Sequence, residues 1–358
     1  MTVGCRWSVS IRRTGRYLLL LFMLASAGCS TVSYYLQSMH GHFSMLHAAR
    51  PISELLQETD LNPRLRQQLL RVQQIRRFAS QQLGLPDNRS YTTYADLQRP
   101  FVVWNVFATP ELSLRLEQWC FPVVGCVNYR GYFDRADAQA YADLLRLQGL
   151  DVNMAGVPAY STLGWFDDPV LNTFIDLPEA ELARMIFHEL AHQVVFVPGD
   201  TEFNESFATA VELAGVERWL QQSNETARQQ YAEYSRRRQD FLALLFQTKQ
   251  QLKQLYQSDL STAAKREAKQ QVFADLKKSH EQLKRERWNG FSGYDRFFSQ
   301  SLNNAHLAAI GVYTGRVPAF LAMLTQQGHD FPHFFHEVQK LAALPKEQRD
   351  TVLKLVSP

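Results

Sequence analysis

The chain has 358 residues, 46% hydrophobic and 20% charged, an ordinary globular composition that argues against a disordered protein. Its 38 basic and 35 acidic residues nearly cancel to a net charge of +3, so charge gives no ground for nucleic acid or an acidic surface as a partner. The length suits one large domain or two small ones.

Arg6, Arg12, Arg13 and Arg16 precede an apolar run from Tyr17 to Ala25 that is too short to span a bilayer as a mature helix. This is the layout of an export signal, assigned to residues 1–28. The run ends in Ser26-Ala27-Gly28-Cys29, small residues before a cysteine that resemble a bacterial lipobox, although Ser26 stands where leucine is usual. Cys29 is therefore expected to carry a lipid, to begin the mature chain and to anchor it to a membrane. An ordinary cleaved signal or an uncleaved anchor is the alternative. Ser30, in place of an aspartate, points to the outer membrane and a periplasm-facing protein. Loss of Cys5 with the signal and use of Cys29 leave Cys120 and Cys126 as an even pair in an oxidising compartment, where a disulfide is expected.

Residues 30–90 read as helical, with Leu55, Leu56, Leu65, Leu69, Val72, Ile75 and Phe78 at helix-like spacings and Pro51 and Pro63 as punctuation. Residues 91–175 change to short β-rich runs, Phe101 to Phe107 and Val123 to Tyr129, separated by Pro110, Pro122 and Gly125, and predict a small antiparallel sheet. Asp134 to Gly149 reads as one helix, and Val152 to Trp165 as a further extended segment. Residues 176–225 form a helical pair, and 226–290 two long polar helices broken near Ser258 to Ser261. Leu242, Leu245, Leu252 and Leu255 on one, and Val272, Phe273, Leu276 and Leu283 on the other, suit an antiparallel hairpin with a structural or subunit-contact role. Residues 291–358 complete the domain as helix. The fold class is α+β, predominantly helical, with the small sheet before the helical pair.

The segment Leu182 to Gln193 carries the chemistry. Leu182, Met185, Ile186, Leu190, Val194 and Val195 repeat with helical period around His188-Glu189-Leu190-Ala191-His192. Histidines one turn apart on a helix face can both reach one tetrahedral zinc ion, and Glu189 then sits beside the metal, placed to take a proton from water. Pro198-Gly199 ends the helix. A catalytic zinc needs a third protein ligand and an open position. The next helix opens Thr201-Glu202-Phe203-Asn204-Glu205-Ser206-Phe207-Ala208, and Glu205 is the chosen ligand because an antiparallel helix brings its first turns back toward His192. Glu202 and Glu212 are the alternatives, and Asp200 reads as a capping residue.

HELAH followed by FNESFA resembles the gluzincin metallopeptidases, whose second helix carries an Asn-Glu pair with the glutamate as third zinc ligand. More closely, the chain resembles a bacterial family of zinc aminopeptidases with lipoprotein signals. The landmarks of that resemblance are Pro158 to Pro169 (with Tyr160-Ser161-Thr162-Leu163-Gly164-Trp165), the two zinc helices, and Asn303-Asn304-Ala305. It implies one zinc per chain, a peptide substrate and release of N-terminal residues. The spacing from His192 to Glu205 is tighter than in the best-known gluzincin aminopeptidases, and no Gly-x-Met-Glu-Asn amine-binding segment is present. Exopeptidase action thus rests on the resemblance, whereas the residues themselves support zinc-assisted amide hydrolysis.

An oxyanion donor is also needed, and Tyr313 and Tyr160 are candidates. Tyr160, Ser161 and Gly164 stand in a segment read either as running beside the substrate as an added strand or as a plain edge strand of the sheet. Asn303 and Asn304 are candidates to orient groups that hold the metal, or to cap a helix. His333-Phe-Phe-His336-Glu337 lacks the order of an inverted zinc motif and reads as packing. The rival readings are an endopeptidase or peptidoglycan-peptide hydrolase, and an envelope scaffold with a structural zinc.

Overall fold

A computed structural model describes residues 34–121, 125–159, 161–310 and 315–356. The expected signal and Cys29, and also Tyr160 and Tyr313, lie outside them.

In chain order the first elements are α1 (34–47), β1 (Arg50–Pro51), α2 (Ile52–Leu55) and α3 (Pro63–Leu83). Asn62 caps α3, its side chain accepting from the N–H groups of Arg64 and Leu65, and Gly84 ends it in the left-handed conformation (φ 63°). Leu69, Val72, Ile75, Ala79 and Leu83 are fully buried along one face of α3. Then follow β2 (Thr93–Ala95), β3 (Val103–Pro110), β4 (Trp119–Phe121), β5 (Gly125–Val127), β6 (Arg130–Tyr132), α4 (Arg135–Leu147), β7 (Leu150–Val157) and β8 (Val170–Leu171).

The main sheet is antiparallel with order β6-β3-β7. Its centre, β3, is buried on both faces rather than alternately. Trp104, Val106 and Ala108 pack with Ala138, Ala142 and Leu145 of α4, whereas Phe107 packs with helical residues from the C-terminal part. A second sheet, β1-β2-β8, joins the N-terminal segment to the chain leading into the zinc-motif helix, and β4 pairs with β5 as a hairpin.

The remainder is helical: α5 (Glu179–Ala191), α6 (Thr201–Gln221), α7 (Glu225–Gln257), α8 (Thr262–Glu286), α9 (Asp295–Phe298), α10 (Asn304–Ile310), α11 (Val317–Gln326), α12 (Phe331–Ala342) and α13 (Lys346–Val356). The protein is thus predominantly helical α+β. The core surrounds α5 and α6. Leu182, Ala183, Ile186, Phe187 and Leu190 of α5 are fully buried, as are Phe203, Phe207 and Ala208 of α6. Gly215 makes the close approach possible, since a Cβ there would stand 2.9 Å from the Phe187 ring and 2.8 Å from Leu83. Leu245 and Leu252 of α7 bury with Phe273 and Leu276 of α8, and Phe298 and Leu307 close the same cluster. No helix among the described residues is long and apolar enough to cross a membrane.

The extended segment expected from Val152 to Trp165 is corrected by the structure. β7 ends at Val157, and residues 163–164 form a turn, with φ of 57° at Leu163 and 82° at Gly164. The cause is Asp168. Its buried carboxylate accepts from the Thr162 N–H at 3.0 Å, and Leu163 N donates to Ser161 Oγ at 3.2 Å, so the backbone curls around polar groups instead of extending.

Candidate metal centre

The apolar face of α5 is sunk in the core, and this forces His188 and His192 toward α6. Their Nε2 atoms are 3.2 Å apart. Glu205, in the second turn of α6, brings Oε2 to 3.4 Å from His188 Nε2 and Oε1 to 3.8 Å from His192 Nε2. Ligand atoms of His188, His192 and Glu205 all lie within 4.8 Å of one another, the one such group of three or more found among the described residues. Tetrahedral ligands about 2.0–2.1 Å from zinc stand about 3.3 Å apart, so this spacing fits the ion.

The loop between the helices is built to bring Glu205 there. Asn204 is buried and clamps Val197, its Oδ1 accepting from Val197 N and its Nδ2 donating to Val197 O, each at 2.8 Å. Asp200 caps α6 by accepting from Phe203 N at 3.3 Å and is itself paired with Arg349 at 2.9 Å. The β4–β5 hairpin abuts the same loop, since a Cβ on Gly125 would meet Gly199 N at 2.9 Å. Cys120 and Cys126, opposite one another in that hairpin, form a disulfide.

Glu212 lies two turns beyond Glu205 on α6, behind the ligands. Its Oε2 is 2.9 Å from His188 Nδ1, and its Oε1 accepts from Arg184 at 3.0 Å. Arg184 also donates to Glu181 at 2.8 Å. The contact with Glu212 assigns the Nδ1 proton of His188, so a metal would take the place of the proton on Nε2.

The electrostatics favour positive charge at the centre. Burial works against a charged His188, but Glu205 and Glu212 overcome it and hold its pKa well above the usual value. Burial likewise opposes a charged Glu212, yet His188 and Arg184 draw it down to about 2. His192, with less support, is pushed by burial down to about 4 and stays neutral. Burial raises Glu189 to about 7 against the pull of His188, with Glu205 and Asp168 adding like charge.

Several residues singled out in the sequence lie elsewhere. Glu202 pairs with Arg316 at 3.2 Å and takes no part in the cluster. Asn304 donates to the carbonyls of Glu111 and Ser113 at 2.8 and 3.0 Å and accepts from Tyr256, while Asn303 donates to Val152 O at 3.0 Å. Both tie α10 to the sheet and α7, not to the cluster of His188, His192 and Glu205. His333 and His336 are exposed beside the buried Phe334 and Phe335. In the hairpin, for which a structural or subunit-contact role is expected, Arg238, Phe241 and Leu242 of α7 line a cavity of about 1180 Å³ that opens from His188 and Glu205. A charge-rich helix hides such a lining in its composition, since the few residues turned into the cleft look like the many turned to water.

Two histidines and a glutamate thus converge on one point as a group that could hold a metal ion, with the motif's further glutamate next in sequence. A family model described as putative aminopeptidase matches residues 33–353, and the chain belongs to that family, which supports a peptidase activity. No curated protein and no solved structure matches significantly.

Proposed function

We propose that the protein is a zinc-dependent aminopeptidase of gluzincin-like architecture, acting on peptides in the bacterial cell envelope and held there by a lipid on Cys29. The observation that carries the enzymatic reading is the convergence of His188, His192 and Glu205 ligand atoms within 4.8 Å, next in sequence to the Glu189 carboxylate. His188, His192 and Glu205 would hold one zinc ion. When bound, zinc supplies a Lewis acid that polarises the peptide carbonyl and lowers the pKa of water.

The chain's own groups do the rest. Glu189 accepts the proton of the attacking water and passes it to the leaving amine. Burial raises the proton affinity of that carboxyl, which favours the first transfer. Glu212 holds the His188 ring in one tautomer. Tyr313 is proposed as the oxyanion donor, and Tyr160, Ser161 and Gly164 as partners of the substrate backbone, the last two from a turn rather than a strand.

The test is zinc content together with cleavage of free-amine and N-acetylated peptides, for the wild type and Glu189→Gln. One zinc per chain with release of N-terminal residues from free-amine peptides alone, lost in a zinc-loaded Glu189→Gln, establishes the proposal. Cleavage of N-acetylated peptides replaces it with an endopeptidase, and unchanged activity of Glu189→Gln removes the mechanism.

A further inference from the structure

The cavity opening from His188 and Glu205 has an uneven charge. Its described wall carries Arg99, Arg135, Arg184, Arg238 and Arg296 against only two carboxylates, Glu205 and Glu212. Glu205 belongs to the candidate metal centre, and Glu212 is already shared between His188 and Arg184. Arg184 is committed to Glu181 and Glu212, and Arg99 donates to the backbone carbonyls of Phe133 and Val102. The other three have charge to spare. Arg238 only approaches the doubly engaged Glu212, at 4.0 Å. Arg296 lies over the Phe101 ring at 5.3 Å, and neither it nor Arg135 has an ion pair among the described residues.

Between these cations the wall is aromatic and aliphatic, with Trp104 and Phe107 from the sheet, Phe241 and Leu242 from α7, and Phe297. Cations flanked by low-dielectric surface attract anions more strongly than the same groups in open water. At about 1180 Å³ the cavity exceeds the roughly 300–1,000 Å³ typical of small-ligand pockets and accommodates several peptide residues.

We infer that this cleft selects peptides bearing a carboxylate a few residues from the scissile bond, received by Arg238, Arg296 and Arg135. The inference rests on the peptidase reading and adds its substrate class. In that reading only the first residue precedes the cut, so the rest of the peptide fills the cleft. The carboxylate then comes from an acidic side chain or from the free C-terminus of a short peptide, and the same arginines accept either.

The experiment measures equilibrium binding to the full-length, zinc-loaded Glu189→Gln protein and kcat/KM with the wild type. The probes are matched hexapeptides with Glu, Gln or Lys at each position after the first, every one with a free or an amidated C-terminus. Glu peptides are expected to bind roughly fivefold tighter than Gln peptides and more than that over Lys, with the margin shrinking as salt is raised. Arg296→Glu and Arg135→Glu, at exposed positions, should narrow or invert the Glu-to-Lys ratio. If amidation rather than Glu→Gln removes the preference, the recognised group is the C-terminal carboxylate, and the assignment of the arginines stands. Equal affinity for Glu and Lys peptides in every register together with no loss of affinity on amidation, or binding of the carboxylate-bearing peptides untouched by both charge reversals, overturns the inference. Selective binding of acidic peptides with no hydrolysis of any peptide by the wild type overturns the peptidase reading and leaves the cleft assignment in place.

Discussion

Nδ1 of His188 lies 2.9 Å from Oε2 of Glu212, a residue two turns behind the metal-facing side of α6. The contact fixes the ring, and through Arg184 it joins the histidine to Glu181 in the first turn of its own helix. Replacing Glu212 with Gln keeps the shape and removes the charge that strengthens the imidazole as a ligand. Zinc affinity is expected to fall about 10- to 100-fold, read by competition with a chelator. Affinity equal to the wild type would remove Glu212 from the metal site's support.

Asn204, itself buried, meets both backbone groups of the half-buried Val197 at 2.8 Å. Asn204→Ala leaves a donor and an acceptor unpaired, at a cost of about 2–4 kcal/mol, measured by denaturant unfolding. Zinc affinity should fall as well, because Glu205 follows directly in the chain. A loss of stability with zinc binding intact would make Asn204 a loop clamp only.

Acid should weaken the roof of the cleft. Burial, with a smaller contribution from Arg146, drives His306 down to about 4, while an unfolded histidine titrates near 6.5. Between those values the unfolded chain holds the extra proton, so this contribution to stability is complete above about 6.5 and is lost as the pH falls toward 4. The difference between wild type and His306→Gln should change by on the order of 3 kcal/mol across that window. A difference independent of pH would show the ring to be charged or solvated when folded.

The disulfide hairpin abuts the loop that leads into α6 and Glu205. Replacing Cys120 and Cys126 together by Ser opens a small closed loop, and roughly 2 kcal/mol of stability should go with it. Gly125→Ala strains a position with φ of 74° and pushes on Gly199, so it should lower zinc affinity even with the disulfide formed. Chelator competition on both variants separates the covalent effect from the steric one.

Local patterns were readable where neighbours in sequence are also neighbours in space. The apolar period around His188 and His192 specified a helix with both rings on one face, and Pro198-Gly199 marked its end. The long polar helices and their break are equally local, and the structure places them at Glu225–Gln257 and Thr262–Glu286. The turn at Ser161 to Trp165 was not readable, because it depends on where the buried Asp168 carboxylate points. β3 was readable from the β-rich run Phe101 to Phe107, and the structure places it at Val103–Pro110 in the centre of the antiparallel sheet, covered on both faces.

The sequence by itself determined the class of elements and the identity of the motif's histidines and glutamates, because helix periodicity and ligand spacing act within a few turns of one chain segment. Only the tertiary structure decided among Glu202, Glu205 and Glu212. All three stand on α6, but the crossing of α5 and α6 turns Glu205 to the histidine Nε2 atoms, Glu212 to the far side of one ring, and Glu202 out to Arg316. It also brought arginines from the chain before β3, from α4, from α5, from α7 and from α9 into one cleft, a juxtaposition that follows from packing and has no signature along the chain.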